Sequence, residues 1–303
     1  MSRIRTIGQF TGNVLFGALL TILSAVPFSA RVAVMGALTA RVIGPALGYR
    51  RRIFDNLALV YPDMPVPERR AFARACLNNF GRTVMENFFA EDLSRHLEGC
   101  VLEGDGLATL SEARARGRPV LIAVAHFANH EVPRHLLSGL GDRVGGMFRP
   151  MSNGYFDRRY RKTLEAVGTD IFPQGRQGTA AFLKFLHSGG WGELYYDLHQ
   201  PRGDILPFMG HPAATPVSAA RIALKVDAPL VPVFAIREPD GRRFRCIVER
   251  KIPPGDPLTM TLELNRRLEA RIAENPTQWL WVHRRWKSKN RKGGYEAIAR
   301  MQP

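Results

Sequence analysis

A chain of 303 residues that is 45% hydrophobic and 23% charged can bury a sizeable core, as one large domain or two small ones, and its composition excludes intrinsic disorder. Lysine and arginine number 43 against 27 acidic residues, a formal net charge of +16, so a polyanionic partner is expected, either nucleic acid or the anionic face of a membrane. The cysteines Cys76, Cys100 and Cys246 are widely separated; with neither a CxxC pair nor a disulfide framework they fit a reducing compartment.

The amino terminus carries no charge between Arg5 and Arg31. Its strongly apolar part, Val14 to Phe28, is shorter than the roughly 20 residues of a spanning helix and has Pro27 near its end. Such a segment spans a bilayer, lies in its interface or packs on the protein. A signal peptide competes, with Arg3 and Arg5 as the basic flank and "FSA" as the small-residue cleavage site. The reading adopted is a membrane-anchoring or interfacial segment over residues 1–48. Its flanking cations, Arg3, Arg5, Arg31, Arg41 and Arg50 to Arg52, then face the cytoplasm.

Residues 50–115 read as helical, with Phe72, Cys76, Leu77 and Phe80 at three-and-four spacing. From Pro119 the texture changes. The short apolar runs "PVLIAVA", "VGGMF", "ELYYD", "PLVPVFAI" and "FRCIV" predict strands. Between them "GTAAFLKFLHSG", "TPVSAARIALKV" and "TMTLELNRRLEARIAENP" predict helices, the last stopped by Asn275-Pro276. The alternation describes an α/β or α+β layered domain with a mixed sheet. No repeat or long polar linker divides it, so residues 49–303 form one domain with a helical amino-terminal part and the membrane segment as an appendage.

The densest chemistry is "HFANHE", His126 to Glu131. On one continuous helix, at about 100° per residue, His126 and Glu131 would lie on different faces. If His126 instead ends the strand and Glu131 begins the next helix, the chain folds back. Glu131 then fixes one imidazole tautomer, leaving the other nitrogen to take a proton from a hydroxyl. A metal reading uses His126, His130, Glu131 and His135 but lacks the HExxH register and a CxxC partner. A third reading makes these residues satisfied polar groups at a turn. Asp197, at the end of the "ELYY" strand, is placed for a pocket, a loop cap or a salt bridge. Arg149 in "RPMSNGYFD" and Arg176 in "PQGRQG" are candidate phosphate clamps. The basic runs "RRYRK" and "HRRWKSKNRK" suit phosphates or headgroups, or a solvated face. Nucleic-acid signatures are missing, as are GxSxG, GxxxxGK[ST] and GxGxxG.

The order of these segments resembles the bacterial lauroyl and myristoyl transferases of lipid A biosynthesis and related membrane-lipid acyltransferases. "NLALVYPDMPVPER" and "NFGRTVMEN" with Glu86 precede the HxxxxE spacing. "MFRP" with Arg149, "LYYDLHQPRGDILPFMGHPAAT" with Asp197 and "QWLWVHRRWK" follow it, so the likeness covers residues 50–290. Tyr196 stands where the family usually has proline, and Met209 replaces one phenylalanine.

The resemblance implies an α/β, glycerolipid acyltransferase-like fold: a layered mixed sheet flanked by helices, with an amino-terminal hydrophobic membrane helix. It implies O-acyl transfer from a thioester, on acyl carrier protein or coenzyme A, to a glycolipid hydroxyl at the cytoplasmic face of the bacterial inner membrane. The implied acceptor is a lipid A precursor; another glycolipid, such as a mannosylated phosphoinositide, stays open. His126 becomes the general base and Glu131 its partner, without a covalent acyl-enzyme. Arg149, Arg176 and Asp197 bind substrate, no metal or cofactor beyond the donor thioester is implied, and no nucleic acid is expected. Rival readings are a non-enzymatic basic protein on anionic membrane or nucleic acid, and a metal-assisted hydrolase.

Overall fold

The computed structural model describes residues 3–151, 153–165, 170–287 and 294–299. The apolar start forms helix α1 (Arg3–Ser24), and Pro27 then opens α2 (Phe28–Leu38). A wider turn over Thr39–Ile43 leads into the single turn α3 (Gly44–Ala46), and Gly48, at φ +70°, redirects the chain into α4 (Tyr49–Val60). Proline cannot continue an incoming helix and glycine tolerates positive φ, so the long apolar stretch is cut into pieces.

The expected amino-terminal membrane helix is therefore corrected to a short apolar helix. Among the described residues no single helix is long and apolar enough to cross a bilayer. The apolar part of α1 is Phe10–Ser24, and only the pair Phe28–Ala46 and Tyr49–Val60, bent by 86°, has the combined length and composition. Arg31, counted above as a flanking cation, is buried, paired with Asp92 and stacked 3.9 Å from the Phe89 ring.

Helix α5 (Val66–Phe88) contains the predicted amphipathic face, with Cys76 and Leu77 buried, and α6 (Ala90–His96) follows. α2 crosses α5 closely because Gly81 has no side chain: a Cβ there would lie 2.7 Å from the Met35 carbonyl oxygen of α2 and 2.4 Å from Thr39 Oγ1 just beyond it. On the other side of α1, Phe10 and Phe16 pack on Tyr155 and Phe156 with ring centroids 5.5 Å apart.

The α/β part runs β1 (Leu102–Glu103), α7 (Leu107–Ala115), β2 (Val120–Val124), α8 (Val132–Gly139), β3 (Val144–Phe148), α9 (Gly154–Glu165), β4 (Asp170–Pro173), α10 (Arg176–His187) and β5 (Trp191–Tyr195). It continues with β6 (Asp204–Phe208), β7 (His211–Thr215), α11 (Ser218–Lys225), β8 (Leu230–Arg237), β9 (Phe244–Val248), α12 (Pro257–Glu274) and α13 (Gly294–Ala299). The main sheet has the order β1-β9-β8-β2-β5-β3-β4. Only the β8–β9 pair is antiparallel, so the sheet is mixed, as expected, and mostly parallel.

β2 is buried at every position, matching the uninterrupted apolar run of a central parallel strand covered on both faces. β6 and β7 form a separate hairpin whose turn residues, Met209 and Gly210, both have positive φ, the mirror-image turn that suits a two-residue loop.

Candidate active site

The site follows from strand register. β2 and β5 are parallel neighbours with Val124 opposite Tyr195. His126 and Asp197 each lie two residues beyond that pair, so both emerge at the carboxyl edge of the sheet, where α/β proteins bind ligands. His126 Nδ1 is 2.8 Å from Asp197 Oδ1, and the His126 backbone N–H donates to Oδ2 at 3.0 Å. The Trp279 indole N–H donates to the same oxygen at 3.0 Å.

Asp197 is 1% exposed. Burial alone would raise its carboxyl, but the attraction of His126, that residue's ring and backbone donors and the Trp279 indole outweigh it and hold Asp197 at about 2. An ionised carboxylate only accepts hydrogen bonds, so Nδ1 carries the proton of the neutral ring and Nε2 is its basic nitrogen.

The loop after His126 is built against α5 and the segment before Trp281. Ala128 takes φ +44°, its N–H donates to the Gln278 carbonyl at 2.8 Å, and its carbonyl accepts the Thr83 hydroxyl at 2.9 Å. Leu280 N–H closes on the His126 carbonyl at 3.0 Å. Asn129 accepts the Glu131 N–H at 3.0 Å and donates to Glu86 at 2.9 Å, and Glu86 is held by both terminal nitrogens of Arg237. With Glu86 and Arg237 both buried, removing one partner strands the other charge. Glu86→Ala is expected to cost about 3–5 kcal/mol of stability, read as a lowered denaturant midpoint at unchanged slope.

The structure corrects the expected partner of the base. His126 ends the strand region and Glu131 caps α8, as anticipated, but the carboxylate on the His126 ring is Asp197. Glu131 is taken by Arg134 one turn later and accepts the Tyr160 and Tyr195 hydroxyls at 3.3 Å each. A buried carboxylate is best compensated by a full positive charge, and the Arg134 guanidinium reaches Glu131 from one turn along the same helix. Burial would raise Glu131; Arg134 first, then His130 and His135, bring it below the ordinary carboxylate value. His130 lies 3.8 Å from Glu131, its ring 4.7 Å from that of His126, and burial beside His126 lowers it to about 4.

His126, His130, Glu131, Arg134, Tyr160 and Tyr195 line a cavity of about 850 Å³, a size that takes a drug-sized or acyl ligand. Arg149 stands exposed at the end of β3 and contributes to the lining. Arg176 stands exposed at the start of α10, beside the lining residues Gln174 and Gly175 and outside the lining itself. The basic runs divide. Arg158, Arg161 and Lys162 are exposed on α9, whereas the interleaved Tyr160 turns inward to Glu131. In the carboxyl-terminal run His283 accepts the His199 N–H at 2.9 Å, and Arg285 is fully buried on Ala214 and Thr215; residues 288–292 lie outside the described residues. His135 turns to Ser94 at 2.7 Å, and among the described residues no group of three or more His, Cys, Asp or Glu side chains is placed to hold a metal ion.

A family profile, bacterial lipid A biosynthesis acyltransferase, matches residues 4–288. The chain belongs to this family.

Among curated relatives of this acyltransferase family, the lipid A biosynthesis myristoyltransferase of Escherichia coli (strain K12) is 25% identical over 244 residues, covering 77% of this chain and 73% of the relative. The lipid A biosynthesis lauroyltransferase of the same organism is 26% identical over 244 residues, covering 78% of each. Its lipid A biosynthesis palmitoleoyltransferase is 22% identical, covering 77% of each. The acyl chains in these names differ, so likeness to them leaves the chain length of this acyltransferase open. Sequence reasoning missed Arg134, Glu193, Tyr160 and Tyr195 as cavity groups. Arg134 had a signal, a basic residue one helical turn after Glu131; Glu193 had one too, an acid opening the predicted strand "ELYYD" that ends in Asp197.

Proposed function

We propose that the protein transfers a fatty acyl chain from a thioester, on acyl carrier protein or coenzyme A, to a hydroxyl of a lipid A precursor. The observation that carries this reading is the His126–Asp197 pair, with His126 lining an acyl-sized cavity, in a chain of this family. Asp197 fixes the ring with its proton on Nδ1. Nε2 takes the proton of the acceptor hydroxyl as its oxygen attacks the thioester carbonyl. The C–S bond then breaks and the departing thiolate recovers that proton, so ester and free thiol form without a cofactor or an acyl-enzyme.

In this reading Glu131 is a positioning residue: it binds Arg134 and the hydroxyl of Tyr195, whose ring centroid lies 4.7 Å from that of His126. Arg149 meets the phosphate of donor or acceptor, and Arg176 guides the acceptor from outside the lining. Residues 1–48 dock on the cytoplasmic face of the inner membrane. Exposed Leu15, Ile22, Val34, Val42 and Leu47 support that contact, with Arg50 to Arg52 beside it for anionic headgroups.

Expression in a bacterium lacking its own late lipid A acyltransferase, followed by mass spectrometry of lipid A, tests the proposal. One additional acyl chain per lipid A is expected. An unchanged lipid A, with the protein present and folded in the membrane fraction, would refute it.

A further inference from the structure

The basic run on α9 is left unused by the transfer chemistry. Helical spacing puts Tyr155, Arg158, Arg159 and Lys162 on one stripe of α9 and Phe156, Tyr160 and Leu164 on another, and only the second stripe lines the cavity. The first turns toward α1, where Phe10, Asn13 and Gly17 follow one another at three-and-four spacing: Phe10 packs on Tyr155, and Gly17 meets Arg159.

Arg159 rests on the bare backbone of Gly17, where a Cβ would lie 2.7 Å from its Nη2. The side chain is half-buried, with Nε sealed and both terminal nitrogens open, and among the described residues its guanidinium has neither a hydrogen-bond nor an ion-pair partner. The carboxylates of α9 are engaged elsewhere. Asp157 accepts the Met151 N–H at 2.7 Å, and Glu165 lies 3.8 Å from Arg161. Asn13, one turn before Gly17, is half-buried too, and its amide N–H groups have no partner among the described residues. Phe10, Val14, Leu15 and Ile22 stand exposed along the same helix.

These properties select a ligand. Open donors with no acceptor beside them call for an anion, and the row of exposed apolar side chains next to them calls for hydrocarbon on the same molecule. A guanidinium edge takes two phosphate oxygens at once, a geometry that an ammonium does not reproduce. A soluble anion would fill the donors and leave the apolar row in water.

We infer that Arg159, seated on Gly17 at the seam of α1 and α9, binds the phosphate of an anionic bilayer phospholipid outside the cavity, while exposed Arg158 and Lys162 supply longer-range attraction. The inference builds on the membrane contact of residues 1–48 and is independent of acyl transfer.

The experiment is flotation of the full-length protein, diluted from detergent, with vesicles of phosphatidylcholine alone or mixed with phosphatidylglycerol. Phosphatidylcholine has the same phosphate but cancels its charge with choline, so the difference reads the net anion. At low salt every exposed cation contributes; at ~0.5 M salt, with a Debye length of about 4 Å, a charge in direct contact keeps its effect. At high salt wild type is expected to retain a preference of about 5- to 10-fold for the anionic vesicles.

Arg159→Gln is expected to bring that ratio to about one, and Arg159→Lys to restore little of it. Gly17→Ala is expected to do the same as Arg159→Gln while keeping every charge, because its methyl group displaces only the flexible end of the Arg159 side chain. It also stands as the second variant if Arg159→Gln does not fold. Arg158→Gln is expected to weaken binding at low salt and to leave the high-salt preference intact.

No anionic preference of wild type at high salt, or one that survives both Arg159→Gln and Gly17→Ala, would overturn the inference. So would an unchanged vesicle preference in Arg159→Gln combined with lost transfer to a phosphorylated acceptor in neutral detergent, which would assign the guanidinium to the acceptor. Flotation of wild type with neither vesicle would count against the membrane contact of residues 1–48 as well, whereas a preference independent of Arg159 would leave that contact standing.

Discussion

His126→Ala lowers acyl transfer about 10²- to 10⁴-fold, the usual contribution of a positioned general base. The loss falls on kcat rather than KM, since the ring acts on the hydroxyl proton in the transition state and contributes little ground-state binding. The fold survives. Asp197 loses the ring but keeps the backbone N–H of residue 126 and the Trp279 indole, so its charge stays hydrogen-bonded. Single-turnover kinetics with saturating donor, beside a thermal unfolding curve, check both parts. Transfer within a fewfold of wild type by a folded His126→Ala protein would contradict the assignment.

Asp197→Asn is expected to reduce kcat by roughly 10²- to 10⁴-fold, because an amide of the same shape no longer fixes the imidazole tautomer or stabilises the imidazolium that forms when Nε2 takes the proton. Glu131→Gln separates the two carboxylates. It leaves the His126–Asp197 contact in place and strands the buried Arg134 guanidinium, so its main effect is a stability loss of about 3–5 kcal/mol.

Asp197 also makes stability depend on acid. Its carboxyl falls from the ordinary 3.8 to about 2 on folding, so the folded state holds the proton less tightly than the unfolded one. That contribution, about 2 kcal/mol, is complete above pH ~4 and is lost as pH falls from ~4 toward ~2. Acid unfolding of wild type beside Asp197→Asn measures it: the wild-type advantage shrinks across that window, and an advantage unchanged down to pH ~2 would contradict the assigned ionisation.

The elements legible in the sequence were those whose pattern is local. The apolar runs at Val120–Val124 and Leu230–Arg237 became central strands, and the three-and-four spacing around Cys76 became α5. The hairpin of β6 and β7 was not read, since "DILPFMGHPAAT" holds two prolines and two short runs joined by a turn whose Met209 is no usual residue for positive φ.

In the site, His126 and Asp197 were both singled out, but their pairing is a property of sheet register. Two strands 71 positions apart become neighbours only once β2 and β5 are known to be adjacent and parallel. Proximity in sequence favoured Glu131 as the partner. Arg134 decided otherwise, and the competition between a ring and a guanidinium for one buried carboxylate is settled by distances that spacing alone does not contain. How the apolar amino terminus is cut into short helices was not legible for a related reason: hydropathy counts residues, whereas Pro27 and Gly48 break the path they follow.

The most direct measurement is transfer of a radiolabelled acyl chain from acyl carrier protein or coenzyme A thioesters to a tetraacylated lipid A precursor, by membranes carrying wild-type protein or His126→Ala. The account predicts labelled, more highly acylated lipid with wild type and at least a hundredfold less with His126→Ala. Label transferred equally by both proteins, or by neither with a donor series spanning chain length and hydroxylation, would contradict it.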